Sequence, residues 1–154
     1  MSFHIVLVEP EIPYNTGNIA RTCAVTGATL HLVGPLGFSI EDRYLKRAGL
    51  DYWDQVNVHL YDSFAELEAA LPGRRFFCAT TKADRSYTDF RYREGDVLIF
   101  GKETAGLPQE ILEKYRDTNI RIPMRADTRS LNLSNAAAIV LYEALRQNGF
   151  PGLT

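Results

Sequence analysis

Three polar, glycine-bearing segments hold most of the chemistry available to this chain. They are Asn15-Thr16-Gly17-Asn18-Ile19-Ala20-Arg21, then Phe100-Gly101-Lys102-Glu103-Thr104-Ala105-Gly106-Leu107-Pro108, then Ile122-Pro123-Met124 with Ser130-Leu131-Asn132-Leu133-Ser134-Asn135. In the first, Gly17 permits close backbone approach, and the amides of Asn15 and Asn18 can fix local geometry. Arg21 is its only obvious reactive cation, although an ordinary exposed helix arginine would look the same. The second can present successive main-chain N–H and C=O groups to a ligand, with Glu103 as its one carboxylate; it also fits a plain strand-to-helix turn. The third offers main-chain groups at Ile122 and Met124, and Ser130, Asn132, Ser134 and Asn135 compete to cap the helix that follows.

Other chemistry is poorly served. His4, His31 and His59 lie in strand-like runs without a nearby carboxylate or nucleophile, so a structural role is expected for them. Cys23 and Cys78 lack metal-ligand spacing and the surroundings of an activated thiolate, and read as buried, reduced thiols of a cytoplasmic protein. The first strand-to-helix junction, Glu9-Pro10-Glu11-Ile12-Pro13, has no glycine triad, and no P-loop occurs. No metal site is expected.

The elements that must position these segments alternate along the chain. Strands are expected over Phe3–Val8, Thr29–Val33, Gln55–Leu60, Arg75–Thr80, Val97–Phe100 and Asn119–Ile122. Helices are expected from a cap at Asn15 or Thr16 to Thr26, with Gly27 as the stop, and over 40–48, 63–70, 108–115 and 133–147. This order predicts an α/β fold, a mostly parallel sheet with helices on both faces, in which ligands bind beyond the carboxyl ends of the strands. Residues 84–95, rich in Arg, Tyr and Asp, read as a surface loop.

The 154 residues, 45% hydrophobic and 23% charged, suit one soluble domain spanning 1–154. No apolar run reaches the ~20 residues that would cross a bilayer, and the N-terminus reads as a strand rather than a signal peptide. The net charge of -2 does not announce a nucleic-acid partner. Local basic clusters do occur, at Arg43, Lys46 and Arg47, at Arg85, Arg91 and Arg93, and at Arg121, Arg125 and Arg129. They fit either solvated faces or a local, arginine-rich phosphate footprint.

Taken together, Asn15-x-Gly17-Asn18-Ile19-x-Arg21, Phe100-Gly101-x-Glu103-x-x-Gly106-Leu107-Pro108, and Ile122-Pro123-Met124 with Ser130-x-Asn132-Leu133-Ser134-Asn135 resemble the SPOUT-class RNA methyltransferases. The nearest likeness is to the small YibK-like (TrmL) type, which methylates the ribose 2′-hydroxyl of the tRNA wobble nucleotide. The opening Glu9-Pro10-Glu11-Ile12-Pro13 and the ending Asn148-Gly149-Phe150-Pro151-Gly152 share in the resemblance, which covers nearly the whole chain. It implies a C-terminal deep trefoil knot, a homodimer with its site completed near the subunit interface, and tRNA, through its anticodon stem-loop, as partner. It also implies S-adenosylmethionine (SAM) as cofactor, held by Cys78, Ala79, Thr80, Gly101, Glu103, Gly106, Ile122, Met124, Ser130 and Leu131. Arg21 resembles the catalytic arginine, with Asn15, Glu103, Ser130 and Asn132 as orienting groups. A guanidinium, with a pKa above ~12, is a poor base, so oxyanion stabilisation and phosphate positioning are its expected roles, the proton acceptor being left open. Tyr142 fits either RNA stacking or core packing.

Three other readings fit the residues: a knotted RNA-binding module without catalysis, a small-metabolite α/β enzyme, and a base methyltransferase of the same class. The intact segments weigh against the first and the missing dinucleotide and P-loop signatures against the second. Resemblance to the ribose-methylating branch weighs against the third.

Overall fold

The computed structural model describes residues 2–41, 43, 47 and 53–154. The helix expected over 40–48 therefore falls largely outside the described residues, as does Lys46. A six-stranded sheet runs in the order β3-β2-β1-β5-β4-β6, and every neighbouring pair is parallel. Its strands are β1 (His4–Val8), β2 (Thr29–Val33), β3 (Val58–Tyr61), β4 (Phe76–Ala79), β5 (Val97–Phe100) and β6 (Asn119–Ile120). The described helices are α1 (Pro13–Thr26), α2 (Phe64–Ala70), α3 (Gln109–Lys114) and α4 (Leu133–Gln147).

Period-two alternation sends successive strand side chains to opposite faces. Leu98 and Phe100 of β5 join a core with Ile19, Ala20 and Cys23 of α1 and Val140, Leu141 and Ala144 of α4. Val97 and Ile99 join a second core with Leu67 of α2 and Ile111 and Leu112 of α3. All four β5 residues are buried, which is why the strand reads as an unbroken apolar run.

Helix ends follow local chemistry. The α1 helix starts at Pro13, ahead of the expected cap at Asn15 or Thr16, because proline suits the first helical turn, where no N–H is needed. Asn15 and Thr16 are consequently buried inside that turn rather than capping it. Gly27 ends α1 in the left-handed conformation at φ 81°, as expected. Ser63 caps α2 by accepting from the Glu66 N–H, and Asn132 caps α4 by accepting from the Ser134 and Asn135 N–H groups. Pro108 sits at the cap of α3 rather than in its first turn. The strand expected over 55–60 begins later, after a 3₁₀ turn at Trp53–Gln55.

The connection from β4 to β5 is more than a surface loop. Its 3₁₀ turn, Tyr87–Asp89, has a capping box from Ser86 and Asp89. Tyr92 is 1% exposed and packs edge-on against Phe77. The chain leaving β6 is fastened to this connection. The Arg121 N–H donates to the Arg85 carbonyl at 2.9 Å, and the Tyr87 N–H to the Arg121 carbonyl at 2.8 Å. At the far end of α4, Gln147 accepts from the Tyr92 N–H and donates to the Phe90 carbonyl, and Asn148 donates to the Tyr92 carbonyl. Both ends of the stretch from 121 to 148 are thus tied to the same connection.

Candidate active site

A cavity of about 750 Å³ opens beyond the carboxyl ends of β1, β4, β5 and β6. That volume lies in the range of cofactor sites, and the location is where open α/β sheets bind ligands. Its walls come from 79–82, from the turn 100–107, from Ile120, Ile122 and Met124, and from 129–133.

The turn after β5 is closed on itself. The Gly106 N–H donates to the Lys102 carbonyl at 2.9 Å, and Gly106 has φ 71°. A Cβ on Gly101 would stand 2.1 Å from the Gly106 carbonyl carbon and 2.3 Å from the Leu107 nitrogen. These are main-chain atoms, so only glycine fits there.

A chain of hydrogen bonds joins the three polar segments. The Glu103 carboxylate accepts from the Glu11 N–H at 2.8 Å, the Ile12 N–H at 3.0 Å and Asn15 Nδ2 at 3.1 Å. Asn15 Oδ1 accepts from Asn132 Nδ2 at 3.1 Å. Asn132 Oδ1 in turn accepts from the main chain at the start of α4. Glu103 thus ties the turn to α1, Asn15 ties α1 to Asn132, and Asn132 ties the set to α4. Asn15 is 6% exposed, so its side-chain orientation is fixed by these partners rather than by solvent.

Asn15, Ala79, Thr80, Gly101, Glu103, Gly106, Ile122, Met124, Ser130, Leu131 and Asn132 all line the cavity. Cys78 does not; its side chain is buried in the core beneath α2 and α3. Arg21 does not line the cavity of its own chain either and lies exposed on α1. Lys82, Thr104 and Arg129 also line it: Thr104 lies in the second polar segment and Arg129 in a basic cluster, without a site role expected for either, and nothing in its local sequence marks Lys82. Their placement depends on contacts between segments far apart in the chain. Tyr142 is 42% exposed, so it is not a core side chain.

The remaining candidates stay structural. Both cysteines are free and buried, and burial pushes each thiol up to about 12, away from nucleophilic use. His31 is held between His4 Nδ1 at 2.9 Å and the Tyr61 hydroxyl at 3.0 Å, with His59 stacked on it. Among the described residues, no cluster of three or more His, Cys, Asp or Glu could hold a metal ion.

The model of the SpoU rRNA methylase family matches residues 2–142. The chain belongs to this family. A tRNA (cytidine(34)-2′-O)-methyltransferase from Methylovorus glucosotrophus is 54% identical over 151 residues, covering 97% of this chain and 98% of that protein. A solved structure described as giving insight into 2-OH methylation of C/U34 on tRNA superposes with a TM-score of 0.92 at 49% identity, covering 96% of each chain. The SpoU methyltransferase AviRb from Streptomyces viridochromogenes, solved with AdoMet, superposes with a TM-score of 0.85 at 27% identity, over 96% of this chain and 58% of AviRb. In this SpoU-family chain, the three segments singled out by residue type meet around one cavity.

Proposed function

We propose that this protein uses SAM to methylate the ribose 2′-hydroxyl of the wobble nucleotide, position 34, in particular tRNAs. The observation that carries this reading is the hydrogen-bonded line Glu103–Asn15–Asn132, which draws the three segments around one cavity. The substrate class follows from high identity, along nearly the whole chain, to relatives named for that reaction.

The cavity fits SAM by the chemistry of its walls. Ile122, Leu131 and Leu107 offer apolar surface for an adenine ring, Thr80 and Ser130 offer hydroxyls, and Lys82, Lys102 and Arg129 are cations suited to a carboxylate. The residues that would hold SAM are Ala79, Thr80, Gly101, Gly106, Ile122, Met124, Ser130 and Leu131. Bound there, SAM supplies an electrophilic methyl group.

The protein's own task is alignment and charge. A ribose hydroxyl is a poor nucleophile until its proton leaves or its developing negative charge is stabilised. Asn15, Glu103, Ser130 and Asn132 orient the groups that meet, and Arg21 stabilises the oxyanion and positions phosphate.

Residues 14, 21 and 25 fall on one helical face, so Arg21 shares its side of α1 with Tyr14 and Val25, which are 49% and 50% exposed. On α4, which packs against α1, Ile139 and Tyr142 are also exposed. This apolar face supports a homodimer built on α1 and α4, with Arg21 carried to a site completed near the subunit interface. Tyr142, exposed on α4, offers a ring for RNA stacking. Residues 1–154 act as one cytoplasmic catalytic domain, with the stretch after β6 threaded as a trefoil knot through the β4–β5 connection.

The test is transfer of labelled methyl from SAM to tRNA by wild type and by Arg21→Ala, with SAM binding followed by calorimetry. Wild type should label tRNA. Arg21→Ala should bind SAM and give no turnover; full turnover in that variant would remove Arg21 from the mechanism.

A further inference from the structure

Glu11 has no part in the reading above, yet it lies where three parts of the molecule meet. Its carboxylate reaches from the start of α1 to the cavity turn, accepting from the Thr104 N–H at 2.9 Å and the Thr104 hydroxyl at 2.8 Å. In the opposite direction, Glu103 of that turn accepts from the main-chain N–H of Glu11 itself. The two carboxylates therefore cross, each anchored on the other's segment. A third link runs alongside, from Lys102 Nζ to the Glu9 carboxylate at 3.5 Å.

The backbone of Glu11 is held from behind as well. The Gly37 N–H donates to the Pro10 carbonyl at 2.9 Å. A Cβ on Gly37 would come within 2.8 Å of the Glu11 Cα, so the loop at 37 fits closely against this residue only because it is glycine. The segment 9–12 is thus clasped between the loop at 37 and the turn 101–106. Such an arrangement transmits position, because a shift of the turn must either break these bonds or move α1 with it. The Glu11 side chain adds no residue to either hydrophobic core, so stability alone gives it little reason to be an acid. The two Thr104 bonds, main-chain N–H first, hold its carboxyl below the usual range, so the acceptor stays ionised at neutral pH.

We infer that Glu11 is a positioning residue: through Thr104 it fixes the cavity turn that seats the cofactor relative to α1, which carries Arg21. The inference rests on the methyltransferase reading above. It requires the cofactor seat and the arginine to keep one relative placement during transfer, where in-line approach leaves little tolerance.

The experiment compares Glu11→Ala, Thr104→Ala, the double variant and Glu11→Gln. It measures kcat for methyl transfer to tRNA, SAM affinity by calorimetry, and amide hydrogen exchange over 101–106. Glu11→Ala and Thr104→Ala should each lower kcat by roughly tenfold to a hundredfold, the penalty for misplaced reacting groups. SAM affinity should move by less than about threefold, and the double variant should be no worse than either single one. Glu11→Gln, which keeps an acceptor oxygen, should recover most of the rate. Unchanged kcat in Glu11→Ala would overturn the inference, as would a loss matched by an equal loss of SAM affinity or by a lowered melting temperature. The two readings fail separately. A wild type that transfers no methyl contradicts the function, whereas exchange at Thr104 still reports on the clasp. That exchange should be faster in Glu11→Ala if Glu11 holds the turn, and unchanged if it does not.

Discussion

Asn15 is bonded at both ends of its amide, donating to Glu103 and accepting from Asn132, residues 88 and 117 positions away in the chain. An asparagine suits this place because one planar group offers both a donor and an acceptor, where a carboxylate could not donate to Glu103. The residue type was legible as a geometry-fixing amide, but its partners were not, since no local spacing encodes a contact between such distant segments. The same holds for His31. Burial pushes its imidazole down to about 3 from an ordinary 6.5, with His4 and His59 adding to the shift, and burial lowers His4 too. With the folded pKa below the unfolded one, the unfolded chain takes up more protons as pH falls below about 6.5. Stability should therefore be full above that pH and decline below it, by at most about 1.4 kcal/mol per pH unit for each such histidine. Urea denaturation at about pH 7.5 and about pH 5 measures this, and His31→Gln should flatten the dependence. Equal pH dependence in His31→Gln and wild type would count against this assignment.

Among the elements, β2, β5 and α4 occupy the bounds expected from their residues, because each is marked by a buried apolar run or by strong punctuation at its ends. The α1 helix starts earlier than expected because Pro13 reads equally well as loop and as first-turn proline. Among the loops that build the site, the turn after β5 depends most on one residue. Gly101→Ala would force a methyl group onto the main chain of Gly106 and Leu107, and neither can yield without opening the turn. The expected result is a loss of SAM affinity of at least about tenfold with a stability cost of about 1–3 kcal/mol, read by calorimetry and thermal melting. Wild-type affinity in Gly101→Ala would mean that the turn does not shape the cofactor seat. The glycine was visible in the sequence as punctuation, but only the fold shows what its missing side chain makes room for.

At the scale of the whole molecule, the doubly covered parallel sheet followed from alternating elements and from strands apolar on both faces. The strand order β3-β2-β1-β5-β4-β6 did not, because which strands become neighbours leaves no periodic trace in one chain. The exposed apolar side chains of Tyr14, Val25 and Ile139 lie on α1 and α4. Charge placed there should disfavour association without disturbing either core. Val25→Asp combined with Ile139→Asp is expected to shift the protein from dimer to monomer in sedimentation and to cut methyl transfer at least tenfold, since the proposed site is completed across that face. A variant that stays dimeric, or a fully active monomer, would argue against this interface. Methylation of the wobble ribose is tested most directly by methyl transfer from labelled SAM to bulk tRNA from cells lacking this protein, with the modified nucleotide mapped. Label on the 2′-oxygen of the wobble nucleotide, absent with Arg21→Ala, is the predicted result. Label on a base or at another position, or SAM bound with no tRNA modified, would contradict it.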